Sequence, residues 1–333
     1  NYRSRLGAEP RRKQIMKLKE IFDIAIETGI DNDPRGRKKI NQILKKRKEN
    51  YADLSKKKKK DYDLEKLNNP YSDSGIHFGE LNHKVKRVLV GIDIGAEEVL
   101  LAKELERQDK KIDLIIGHHP EGKALTNLHE VMDIQVEVLA KAGVPENIAE
   151  GVLCDRIDQV SRSISSINHY KSIDTARLLG IPFINIHTPA DNCVWHFIDQ
   201  EIIKKKPKTV GEIVELLKEI PEYKTATKLN SGPVIFSGKE NSRAGKIIVS
   251  GMTGGTEGSE KIFERMSHYG IGTEIGMHLS EKHRDEASKH YINVVIAGHM
   301  ASDSLGMNII MDKIEMQGVE IIPCSGYIRH KRN

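Results

Sequence analysis

The chain has 333 residues, enough for one large or two modest domains with real cores. Hydrophobic residues make up 38% and aromatic residues 5%, and no stretch approaches the roughly 18–20 apolar residues that cross a bilayer, which excludes a helical membrane protein. The net charge of +5 hides an asymmetry: residues 1–60 hold 20 Lys/Arg against 8 Asp/Glu, and the remainder holds 33 against 40.

The first residues carry Arg3, Arg5, Arg11 and Arg12 with no apolar run behind them, so no secretory signal is read there. A basic arm on a mildly acidic body is either a solvated face or a polyanion contact, and weak nucleic-acid binding through residues 1–69 is one expectation. Residues 13–28 place Ile15, Leu18, Phe22 and Ile26 at helical spacing, with Gly29 as a C-cap. A second helix is predicted over 38–49. The run Lys56–Lys60 then breaks any core pattern, and Asn68-Asn69-Pro70 reads as a turn. Residues 1–69 are therefore expected to be a basic, partly helical extension.

From Lys84 the texture changes to short apolar runs alternating with amphipathic helices. The runs cover 87–94, 112–119, 183–188, 246–251 and 293–299, and the helices cover 97–107, 130–142 and 257–269. Continuous apolar strands joined by helices predict an α/β protein with mostly parallel sheets covered on both faces. A first α/β lobe is expected over 70–200, a connector with one short helix (209–219) over 201–245, and a second α/β lobe over 246–333. Three widely spaced cysteines, Cys154, Cys193 and Cys324, suggest reduced thiols and hence a cytoplasmic protein.

Three corners supply metal-ligand chemistry. In the first, Gly117-His118-His119-Pro120 follows an apolar run. Consecutive side chains on a regular strand point to opposite faces, so the two imidazoles can share a crevice only where the chain turns before Pro120. The second is His187-Thr188-Pro189-Ala190-Asp191. Here Thr188 suits an N-cap and Pro189 the first helical position, and helix capping is the plainer account of Asp191. In the third, Gly298-His299-Met300-Ala301-Ser302-Asp303, His299 and Asp303 are four apart and share a helix face; capping is again the alternative. All three corners follow predicted parallel strands, where open α/β sheets place their ligand crevice.

Three imidazoles and two carboxylates match two divalent ions better than one. The mixed N/O set suits Zn, Fe, Mn or Ni and is no closed thiolate site. Open positions would hold water, the arrangement that generates hydroxide at neutral pH or clamps a phosphoryl oxygen. Around these ligands, Glu121 and Lys123 are candidate substrate contacts. The loop from Gly251 to Gly258, with Gly254 and Gly255, could cradle phosphate, although it lacks the Lys-Ser/Thr of a P-loop. Trp195 and His196 follow Asp191 and could flank the crevice, but lone aromatics on a helix read more plainly as core. His278, His283 and His290 read as an exposed helix face, and Cys193 as a cysteine without a catalytic partner.

These motifs, in this order, resemble the Nif-three-like family of dinuclear-metal hexameric proteins, also labelled GTP cyclohydrolase I type 2 homologues. The family's His-His-Pro, His-Thr-x-x-Asp and late Gly-His-x-x-x-Glu appear here as Gly117–Pro120, His187–Asp191 and Gly298–Asp303. Asp73-Ser74-Gly75-Ile76-His77-Phe78-Gly79 looks like the family's opening Asp-Asn-x-Gly-Leu-x-x-Gly shortened by one residue, and Val90-Gly91-Ile92-Asp93 like its first strand. The resemblance spans about residues 70–328, with residues 1–69 outside the common family core. It implies a homo-oligomer, a hexamer, with two divalent ions on His118, His119, Asp191, His299 and Asp303. It departs from the pattern at Asp303, where the family has Glu.

Two functions follow as expectations. One is a metal-dependent hydrolase acting on a small nucleotide-like or phosphorylated molecule, with His187 orienting ligand or water. The other is a non-catalytic metal-binding adaptor working through protein or nucleic-acid contacts. Family label and fold do not by themselves establish a substrate.

Overall fold

The computed structural model describes residues 15–332; Arg3, Arg5, Arg11 and Arg12 lie outside the described residues. Eleven strands are described: β1 (Met16–Lys17), β2 (Gly75–Phe78), β3 (Lys84–Val85), β4 (Arg87–Gly91), β5 (Leu114–Gly117), β6 (Phe183–Asn185), β7 (Val234–Ser237), β8 (Lys246–Gly251), β9 (Ile271–Gly276), β10 (Asn293–Ile296) and β11 (Glu320–Pro323). They form two main sheets and a small β1–β3 ladder. The first sheet has the order β11-β4-β5-β6-β2, parallel except for the antiparallel edge strand β2. The second has the order β7-β10-β9-β8, parallel except for the edge strand β7. Both are flanked by helices, as the alternation of apolar runs and amphipathic stretches predicts.

The central strands of the first sheet are short and apolar on both faces: every residue of β5 and β6 is buried, and only Arg87 of β4 is not. Such strands need helices above and below. Strand β9 escapes the sequence reading because its pattern, IGTEIG, lacks a continuous apolar run. Gly272 is required there, since a Cβ would lie 2.8 Å from the Ala244 carbonyl oxygen.

Three differences from the expected organisation bear on the site. First, the helix Leu18–Asp31 is no appended arm. Leu18, Ile21, Phe22, Ala25, Ile26 and Ile30 join the main core, and Gly29 lies buried inside the helix rather than capping it. A Cβ on Gly29 would sit 2.6 Å from Pro189 Cα, so the small residue serves close packing against the start of the helix Thr188–Lys205. Second, the segment 201–245 carries two helices, Val210–Lys218 and Pro221–Lys228, the latter opened by its proline. It then supplies β7, which covers the open edge of β10. Third, β11 lies within the segment expected to form the second lobe but pairs with β4 of the first sheet. It is an edge strand, where Pro323 loses no ladder bond that a neighbour needs.

The two sheets are joined by the helices Thr188–Lys205 and His299–Glu315, which pack directly on each other. Gly306 permits the approach: a Cβ there would lie 2.2 Å from the Ala190 carbonyl oxygen. The second and third corners of the sequence reading thereby meet.

Candidate metal centre

The first corner begins where β5 ends. His118 N–H donates to the Gly91 carbonyl (3.0 Å) and His119 N–H to the Ile92 carbonyl (2.9 Å), so both residues stay tied to the chain leaving β4. Their rings lie 5.2 Å apart and tilted, and both face one crevice, as the turn before Pro120 requires. At the second corner, His187 takes the N-cap position and Thr188 is already helical. Thr188 Oγ1 donates to Asp73 Oδ2 (2.6 Å) instead of capping, and the His187 carbonyl receives the Asp191 N–H (3.1 Å). Asp191's carboxylate is thus free of the helix terminus. At the third corner Gly298 is the N-cap, and Asp303 lies beyond the first turn with 0% exposure, so capping does not account for it either.

The side chains converge on Asp303. Its Oδ1 lies 3.5 Å from His118 Nε2, and its Oδ2 lies 3.5 Å from His119 Nε2 and 3.6 Å from His299 Nε2. Asp191 Oδ1 stands 3.4 Å from His118 Nε2, and Oδ2 stands 3.7 Å from His187 Nε2. Two ligands about 2.1 Å from a tetrahedral ion lie roughly 3.4 Å apart, so these spacings suit a shared cation better than hydrogen bonds. Four buried atoms, His118 Nε2, Asp191 Oδ1, Asp303 Oδ1 and Asp303 Oδ2, have no hydrogen-bond partner. Orphaned buried polar atoms are rare, and here they point at one another. His118, Asp191 and Asp303 form one group that could hold a metal ion; His119, His299 and Asp303 form a second; His118, His119 and His187 a third.

The outward nitrogens of His118, His119 and His187 are occupied. His118 Nδ1 donates to the Ile186 carbonyl (3.0 Å), His119 Nδ1 to Asp93 Oδ1 (2.7 Å) and His187 Nδ1 to Asp73 Oδ2 (2.7 Å). That arrangement fixes the tautomer and leaves each Nε2 lone pair facing the crevice. Burial opposes ionisation of Asp303, but His118, His119 and His299 outweigh it and hold the carboxyl well below the usual carboxylate range. Asp191 is pushed by burial up to about 6 despite His187 and His118, and His299 is lowered by burial to about 4.

Of the surrounding candidates, Gly255 lines a pocket that also opens onto His187, Asp191 and His299. Gly254 instead packs against Gln135, whose amide donates to its carbonyl (2.8 Å). Glu121 accepts from Ser172 (2.9 Å), and Lys123 pairs with Asp63 (2.7 Å); neither lines the pocket. Cys193 is buried, with its thiol pushed by burial up to about 12, which suits a core residue. Trp195 is core as expected. His278 and His283 are not an exposed helix face: both line the pocket, each with a ring nitrogen 3.6 Å from Glu257, and only His290 pairs outward with Glu286. The sequence reading also missed Asp73 and Asp93 as supports for His187 and His119. The signal for Asp93 was present, a carboxylate interrupting the apolar run that ends the first strand.

No family model matches the chain, and no curated protein matches it. Among solved structures, a NIF3 superfamily protein from Sphaerobacter thermophilus matches over 94% of this chain and 99% of that one, with 26% identity and a TM-score of 0.74. This likeness, together with the order of the motifs, supports the NIF3-like family. More distant in geometry are a Bacillus cereus protein related to NIF3 (12% identity, TM-score 0.46, 96% and 99% covered) and reduced HcgD from Methanocaldococcus jannaschii (15%, 0.47, 75% and 88%).

Proposed function

We propose that this NIF3-like chain is a metal-dependent hydrolase that holds two divalent ions, of the Zn, Fe, Mn or Ni class, and acts on a small nucleotide-like or phosphorylated molecule. The observation that carries the reading is the convergence of His118 Nε2, Asp191 Oδ1 and both Asp303 oxygens without partners among themselves or elsewhere. His118, Asp191 and Asp303 would hold one ion, and His119, His299 and Asp303 the other. Such ions supply Lewis-acid polarisation of a phosphoryl or carbonyl oxygen and activation of water. His187, held by Asp73, faces both the cluster and the pocket and is placed to orient substrate or water.

The test is metal content in protein purified without added metal, followed by nucleotide hydrolysis before and after a chelator. Two ions per chain and chelator-sensitive turnover are expected; a metal-free, inactive protein that cannot be reconstituted overturns the reading.

A second reading, a metal-binding adaptor, is favoured by the basic surface of residues 37–60. Lys46, Lys48, Lys56, Lys57, Lys58 and Lys60 are exposed there. Metal binding without turnover, together with steeply salt-dependent binding to RNA or DNA, would select it. In either case we propose a homohexamer, checked by light scattering. Among the described residues no helix is long and apolar enough to cross a membrane.

A further inference from the structure

One pocket is lined by His187, Asp191 and His299 and also by the loop after β8 and by Glu274 of β9. Ile262, Phe263, Met266 and Met277 give it apolar wall, and Glu274 and Ser250 also line it. Glu274 is 8% exposed. Ser250 Oγ donates to its Oε1, while Oε2 is buried and has no partner. Elsewhere along the pocket, Glu257 stands between His278 and His283, and the Gln135 amide donates to the carbonyls of Gly254 and Thr256.

A buried carboxyl oxygen without a donor costs folding free energy, and burial pushes Glu274 up to about 7. An apolar alternative would fit β9 at least as well, so the carboxyl is explained by something that enters the pocket. Phe263 and the methionines offer surfaces for the faces of a flat ring. The open acceptor of Glu274 asks for an N–H donor. Where the same pocket meets His187, Asp191 and His299, the divalent ions of the proposed function, on which this part rests, would attract an anionic group.

We propose that Glu274 and Ser250 form the recognition end of a binding site for a flat, N–H-bearing heterocycle whose anionic end lies against the His118–Asp303 cluster. Nucleobases carrying a 5′-phosphate meet that description. Glu274 accepts the ring or exocyclic N–H at Oε2, and Ser250 holds the carboxyl in place through Oε1.

The test is calorimetric titration of the full chain with the common ribonucleosides and their 5′-monophosphates, with metal content measured on the same samples. Wild-type protein is expected to bind at least one nucleoside, and its monophosphate more tightly. Glu274→Met should weaken that nucleoside about tenfold or more, with metal content unchanged and thermal stability equal or higher. Ser250→Ala should give a smaller loss. Failure of every probe to bind metal-loaded protein overturns the proposal, as does a bound nucleoside indifferent to Glu274→Met. Absence of metal overturns the metal reading alone, because the nucleosides lack a phosphate and still report on the Glu274 end.

Discussion

His299 and Asp303 lie one helical turn apart at the start of the helix His299–Glu315, with Nε2 of the first 3.6 Å from Oδ2 of the second. The other Asp303 oxygen faces His118 at 3.5 Å, so a carboxylate one methylene shorter than the family's Glu still reaches both groups of histidines. The helix stands close enough for this because Gly306 lets it press on Ala190.

Asp303→Asn keeps the shape and removes the charge that two divalent ions would share. We expect at least one ion per chain to be lost while circular dichroism stays native, because no backbone cap depends on the side chain. Plasma emission spectrometry on purified wild type and variant decides. Two ions retained at wild-type affinity would remove Asp303 from the ligand set.

Asp93 offers a gentler test, since its side chain is largely exposed and touches His119 only at Nδ1 (2.7 Å). Removing an outer partner of a metal-binding imidazole costs about 10–100-fold in metal affinity. Asp93→Ala should show that loss in a competitive chelator titration, with unfolding unchanged. Unaltered affinity would mean that His119 is oriented by packing alone.

The three corners that meet in the candidate site are legible in the sequence because each follows an apolar strand and breaks at His, Pro or Gly. The sequence also carried most of the parallel strands, since β4, β5, β6 and β10 are short, mostly buried apolar runs and β8 has an apolar, buried centre. Strand β9 stayed hidden because Gly272, Glu274 and Gly276 serve close packing and the pocket rather than a hydrophobic pattern. The long helix Glu146–Ser165 was missed because few of its residues are buried, which leaves a faint apolar stripe. Asp73 and His187 are 114 positions apart, and no local spacing reports such a contact.

Glu274 makes stability depend on pH in a direction opposite to that of a paired carboxylate. Its folded-state value is raised from 4.5 to about 7, so the folded chain binds this proton more tightly than the unfolded chain. Its contribution is therefore intact below 4.5 and is lost as pH rises towards 7, to a total of about 3 kcal/mol. Urea unfolding of metal-free wild type and Glu274→Gln at pH 5 and pH 8 isolates it. The variant should gain relative to wild type at pH 8 and not at pH 5; an equal difference at both pH values would show that Glu274 is ionised throughout.

Gly306 tests whether the site depends on the helix crossing rather than on its ligands alone. A Cβ at this position would lie 2.2 Å from the Ala190 carbonyl oxygen, 2.7 Å from its carbon and 2.9 Å from Val194, and both neighbours belong to the helix that carries Asp191. Two of these contacts are backbone, so no side chain can rotate away; the helices must separate. Overpacking of this kind costs about 1–3 kcal/mol. Separation also carries Asp303 and His299 away from Asp191 and His118. Gly306→Ala is therefore expected to lower the melting temperature and to weaken metal binding together, although residue 306 touches no ligand. The two effects should scale: warming the variant towards its transition ought not to be needed to see metal loss. A variant that melts early yet binds metal as wild type does would show that the ligand corners are held by their own loops, independently of the crossing.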